Sequence, residues 1–168
     1  NLTNKRELYR RDEVDELFDK VLNEFKPNIV HVGHLNHLST SIIKIASNHG
    51  IPIVFTLHDF WMMCPRGQFL QTNSGSEQLV LCDGQDDYKC STHCYSMYPT
   101  GLQGTEVDNI EYWKEWVHNR MTHINEMIKH VDLFIAPSKY LRKRFVESGL
   151  ENKKIVYLDY GFDPRRLS

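Results

Sequence analysis

Apolar residues in the first part of the chain recur with helical spacing. Val14, Leu17, Phe18, Val21, Leu22 and Phe25 fall at i, i+3, i+4, i+7, i+8 and i+11, which predicts an amphipathic helix over residues 11–25 that Pro27 stops. The apolar run 28–33 then reads as a short buried strand. A second helix is expected over 37–49, carried by Leu38, Ile42, Ile43, Ile45 and Ala46, with Ser39 and Thr40 as caps and Gly50 just past its end. Residues 51–57 (Ile-Pro-Ile-Val-Phe-Thr-Leu) form a second strand with the proline at its entry.

The pattern then breaks for about 45 residues, a length that in a compact domain usually marks a functional or mobile loop. Helical spacing resumes over 106–130, where Ile110, Trp113, Val117, Met121, Ile124 and Ile128 share a face. Residues 131–136 are a third strand. Ser138 can cap a helix over 139–148 that Gly149 ends, and 154–158 is a fourth strand. The strands are continuous apolar runs, as in a parallel sheet covered on both faces. The alternation of helix and strand predicts an α/β class, a Rossmann-like parallel sheet with flanking helices. The first element is a helix where such domains open on a strand, so a partial domain lacking its first strands is expected, with a long irregular cysteine-containing insertion over 63–105.

Composition narrows the function. The chain has 168 residues, enough for one core, and its net charge of −2 gives no basic footprint for nucleic acid. No apolar run approaches the ~20 residues of a membrane span. The first residues lack the apolar stretch of a signal peptide, and the start without Met reads as a cut or fragment. No Gly-rich phosphate loop occurs, which removes support for a dinucleotide or P-loop site.

Four segments carry a resemblance. Residues 27–32, 50–59 (ending Thr56-Leu57-His58-Asp59), 131–138 (Val-Asp-Leu-Phe-Ile-Ala-Pro-Ser) and 156–163 (Val-Tyr-Leu-Asp-Tyr-Gly-Phe-Asp) follow one another in an order that resembles the N-terminal, acceptor-side domain of glycosyltransferase family four, with the GT-B fold. The likeness spans about residues 26–165. It implies a domain over 1–160 and the start of an inter-domain linker at 161–168. It also implies retaining transfer of a sugar from a nucleotide-sugar donor to a glycan or lipid-linked acceptor in polysaccharide assembly. By the same likeness no cofactor is required for catalysis, the donor is held by a second domain, and this domain is inactive without it. A cytoplasmic place, with peripheral membrane contact through Arg142, Lys143 and Arg144, goes with that reading; a solvated helix face explains the same basic run.

The candidate catalytic residues are His58 and Asp59, at the carboxyl end of the second strand, where open α/β sheets bind ligands. An imidazole or carboxylate there can orient an acceptor hydroxyl and share in its deprotonation. Gly33, His34, Trp61 and Ser138 are the candidate substrate-binding residues. Each has a plainer account: a turn glycine, an exposed histidine, loop packing and a helix cap. His31 is expected to pack within its strand; Arg120 can reach toward the cleft, but a helix face packing on the sheet is its default account.

Cys64, Cys82, Cys90 and Cys94 are all the cysteines of the chain and fall within 31 residues. The Cys90–Cys94 spacing fits half of a tetrahedral zinc site, and a metal would order a polar loop that apolar burial cannot. His93 can replace one thiolate. A structural zinc, an iron–sulfur cluster, free thiols and disulfides stay open on the sequence. A zinc-stabilised α/β binding module without catalysis is the rival to the enzyme.

Overall fold

The structure, a computed structural model, describes residues 9–72, 80–96 and 106–161. In chain order the elements are α1 (Asp12–Phe25), β1 (Val30–Val32), α2 (Ile42–Asn48), β2 (Ile53–Thr56), β3 (Leu70–Gln71), β4 (Val80–Leu81), α3 (Asp87–Cys90), α4 (Glu106–Met127), β5 (Leu133–Ala136), α5 (Lys139–Glu147) and β6 (Ile155–Tyr157). A π-helical turn, Ser91–Tyr95, continues α3.

Four strands pair in the order β1-β2-β5-β6, all parallel. The register puts Phe55 beside Phe134 and Phe134 beside Ile155. These three, with Ile53 and Ala136, are buried, and the Phe55 and Phe134 rings lie 6.0 Å apart. Burial of each large apolar side chain contributes about 1.5–3 kcal/mol, so the middle pair of strands anchors the domain. Coverage of both faces, expected for every strand, holds for β2 and β5 only. In β1, His31 is exposed, and in β6, Val156 and Tyr157 are exposed, because both are outer strands among the described residues.

The helices follow the apolar spacing with three differences. In α1 only Leu22 is buried; Leu17, Val21 and Phe25 of the expected stripe are exposed, since the helix packs on α2 and nothing described covers its outer rim. Ser39 and Thr40 do not cap α2, which starts later. Ser39 Oγ accepts from the Arg11 N–H at 3.1 Å, and the Thr40 hydroxyl donates to the Tyr9 carbonyl at 2.7 Å, so both tie the entering chain to the core. In α4 the buried set is wider than predicted and includes Trp116 and Arg120. The Tyr9 ring meets Trp116, and the Tyr95 ring meets Trp113 and Trp116, covering a second side of the helix. Ser138 caps α5 as expected, accepting from the Leu141 N–H at 3.0 Å, and Gly149 follows the helix at φ +106°.

The cysteine-containing segment is less irregular than its composition predicts. β3 and β4 form an antiparallel pair, and Asp86 caps α3 through the Lys89 N–H. The rest of the expected insertion, 73–79 and 97–105, lies outside the described residues, as does the expected linker beyond Gly161. Because the main sheet is parallel, the segments after β1, β2, β5 and β6 all leave from one edge.

Candidate functional site

β2 delivers His58 to that edge by simple alternation. Leu57 continues the ladder, its N–H bonding the Ile135 carbonyl at 2.8 Å, and its side chain is buried. The next side chain, His58, therefore faces outward and is exposed. Its Nδ1 lies 2.5 Å from the hydroxyl of Tyr160, with the two rings parallel to within 1° and their centroids 5.6 Å apart. Tyr160 gets there because the Leu158 N–H extends the β6 ladder to Ala136 and Asp159 then accepts the Tyr160 N–H at 2.7 Å.

Asp59 is committed in two directions. Oδ1 accepts the Trp61 N–H at 2.7 Å, a local turn that suits an aspartate, and Oδ2 lies 3.3 Å from His34 Nε2. His34 Nδ1 accepts the Asn36 N–H at 2.9 Å, so its other nitrogen carries the proton and donates to Asp59. Asp59 thus locks the end of β2 to the end of β1. Below it, Gly67 sits at φ +77°, and a Cβ there would stand 3.4 Å from Asp59 Oδ2. The Gly67 carbonyl accepts the Phe60 N–H and its N–H returns to the Cys64 carbonyl, which folds the loop under the site.

The other predicted residues divide. Gly33 is exposed at the edge, and a Cβ on it would lie 4.0 Å from His58 Nε2, so it opens onto the face of that ring nitrogen. Trp61 is buried and packs rather than lining an open wall. Its ring meets His34 at 5.5 Å and carries the Arg120 guanidinium at 4.5 Å. Arg120 does not reach the edge: 1% exposed, it donates to the Trp61 carbonyl at 2.7 Å and meets Met121 Sδ at 3.1 Å. Burial lowers its pKa to about 10, which leaves it charged at neutral pH. The hydroxyl of Ser138 is occupied by its capping bond. His31, expected within the strand, is exposed and bonds Thr56 Oγ1 at 2.8 Å across β1 and β2. The edge therefore gathers Gly33, His34, His58 and Asp59, and adds Tyr160.

A model of the family described as Glycosyltransferase Family 4 matches residues 3–166. The chain belongs to glycosyltransferase family 4. No curated protein and no solved structure gives a significant match. Family membership accounts for the Rossmann-like sheet and implies sugar donor and acceptor substrates in general.

Two features lie off the edge of this family 4 domain. A cavity of about 620 Å³ opens between α4 and α5 under the loop, lined by Met62, Met63, Phe69, Met121 and Phe145 with a mixed-charge rim. None of the edge residues lines it, so its volume is no guide to the chemistry. The basic run on α5 is engaged: Arg142 bonds the Ile155 carbonyl and Asn152, Lys143 pairs with Glu147, and Arg144 bonds the Asp83 carbonyl and Glu147.

Cys64, Cys90 and Cys94 are buried, Cys82 is half-buried, and all four are free thiols. Burial pushes the Cys90 thiol up to about 12. Among the described residues, no three His, Cys, Asp or Glu side chains are gathered as a group set to hold a metal ion.

Proposed function

We propose that this domain forms the acceptor side of the cleft of a retaining, nucleotide-sugar-dependent glycosyltransferase in glycan or polysaccharide assembly. Its donor-binding partner is a second domain, and this one does not turn over alone. The observation that carries the reading is His58: exposed at the carboxyl edge of a parallel sheet, held at Nδ1 by Tyr160, with Nε2 beside the bare backbone of Gly33.

Within this reading His58 contacts the reacting sugars. Asp59 acts through its neighbours, since both its oxygens are committed to Trp61 and His34. Gly33 leaves room for a ligand against the backbone, and His34 stands at the margin. The test is donor turnover by the full-length protein. His58→Ala lowers it about 10²-fold with folding intact, the scale of one catalytic-site contact made in the transition state. Turnover within twofold of the unaltered enzyme would remove the site assignment.

For the loop we propose a structural metal, zinc by its all-sulfur donor set, on Cys64, Cys82, Cys90 and Cys94. Two observations support it: the four cysteines fall within 31 residues of the chain, and the buried charge of Arg120 has uncharged hydrogen-bond partners, the Trp61 carbonyl and Met121 Sδ. A zinc tetrathiolate has a formal charge of about −2 and would balance that guanidinium. The sulfurs have to draw closer around the ion than they stand. No step of the transfer runs through it.

A further inference from the structure

The family match assigns no role to Tyr160, yet its hydroxyl is the group that meets His58 Nδ1, at 2.5 Å. We propose that Tyr160 is a positioning residue that decides which nitrogen of His58 faces the substrate, making the imidazole a hydrogen-bond donor through Nε2–H rather than a base. The inference rests on the reading that His58 faces the reacting sugars.

A neutral imidazole has one N–H and one bare nitrogen, and the bond made by one nitrogen sets the other. A phenol hydroxyl is a good donor, while its oxygen shares its lone pairs with the ring and accepts poorly. The favoured arrangement is Tyr160 O–H donating to Nδ1. The proton of the imidazole then sits on Nε2. That nitrogen points to the space over Gly33, where a Cβ would come to 4.0 Å, and Gly33 is exposed. A ligand oxygen lodged there meets an N–H. In this state His58 has no lone pair to offer on the substrate side, so it takes no proton from the acceptor hydroxyl. Its contribution is to hold a sugar oxygen and to stabilise negative charge that grows on it. No bond to His58 is made or broken.

Tyr160 is itself fixed for the purpose. Asp159 Oδ1 accepts its N–H at 2.7 Å and Gly161 turns the chain at φ +70°, so the ring is held by the turn after β6 as well as by His58. The arrangement joins the end of the inner strand β2 to the end of the outer strand β6, across β5, through one hydrogen bond.

The experiment uses the full-length protein with two readouts. Long-range 1H–15N correlation on the His58 ring gives the tautomer without any ligand: Nε2–H with a bare Nδ1 is expected, and a proton on Nδ1 overturns the proposal. Release of nucleoside diphosphate from a panel of UDP-, GDP- and ADP-hexoses gives the function. Tyr160→Phe is expected to lower turnover roughly 3–10-fold, the factor of one neutral hydrogen bond, with an unchanged melting temperature and no further loss in a His58→Ala background. His58→Gln, whose amide N–H reaches the place of Nε2, is expected to keep more activity than His58→Asn. If Tyr160→Phe matches the unaltered enzyme while His58→Ala is impaired, the positioning role fails and the site reading survives. If His58→Ala is unimpaired, the site reading itself fails.

Discussion

The guanidinium of Arg120 lies 4.5 Å from the centre of the Trp61 ring and donates to the Trp61 carbonyl at 2.7 Å. Trp61 in turn gives its N–H to Asp59, and Asp59 holds His34. A charge buried in the middle of α4 therefore supports the strand-end segment from beneath. Arg120→Ala removes the donor, leaves a buried carbonyl unsatisfied and opens a void. The expected loss is about 2–4 kcal/mol, read by urea unfolding of the full-length protein. Arg120→Met fills most of the volume without the charge and is expected to cost less. Equal losses for the two would show that the hydrogen bond, and not packing, is what the site needs.

Two glycines separate fold from function. Gly67 holds φ +77° with Asp59 Oδ2 at 3.4 Å from any added Cβ, so Gly67→Ala is expected to destabilise by about 1–2 kcal/mol. Gly33 faces open space, and Gly33→Ala is expected to leave stability within about 0.5 kcal/mol while lowering turnover, because the methyl enters the space beside His58 Nε2. Thermal melts and turnover on both variants check the pair. Unchanged turnover in Gly33→Ala would mean that no ligand comes close to that backbone.

Much of this was legible in the sequence, and the failures have physical causes. The parallel sheet followed from apolar runs broken by helical spacing, and the Ser138 cap and the Gly50 and Gly149 turns from residue type alone. His58 was legible as the first residue past a buried strand. Tyr160 was not, because its partner lies 102 residues away and only the β2-β5-β6 register brings the two ends together. Arg120 packs with its helix face, the plainer of its two readings, but helical spacing gives that face and not the indole that meets it. The exposure of Leu17 and Phe25 was hidden too: periodicity shows that a helix has an apolar face, not what covers it.

Metal content tests the loop. Purified full-length protein is expected to hold about one zinc per chain, with chelation melting the loop and Cys90→Ser lowering the content. Absence of metal together with four titratable thiols would leave the loop held by packing alone.

Acid tests a smaller contact. The Lys89 ammonium beside Asp83 holds that carboxyl below its ordinary value. A depressed carboxyl stabilises the fold above its unfolded value, about 3.9, and the benefit disappears as pH falls through the lower folded value. Lys89→Met is expected to return Asp83 to the ordinary range in an NMR titration, with little change in stability at neutral pH because the pair is exposed. An unmoved Asp83 would contradict the pairing.

The most direct test of the central claim is a structure of the full-length protein with a bound nucleotide-sugar. The account expects Nε2 of His58 within hydrogen-bonding distance, about 3 Å, of a sugar oxygen, with Nδ1 still on Tyr160. A sugar bound far from the β2 end, with His58 facing only solvent, would contradict it.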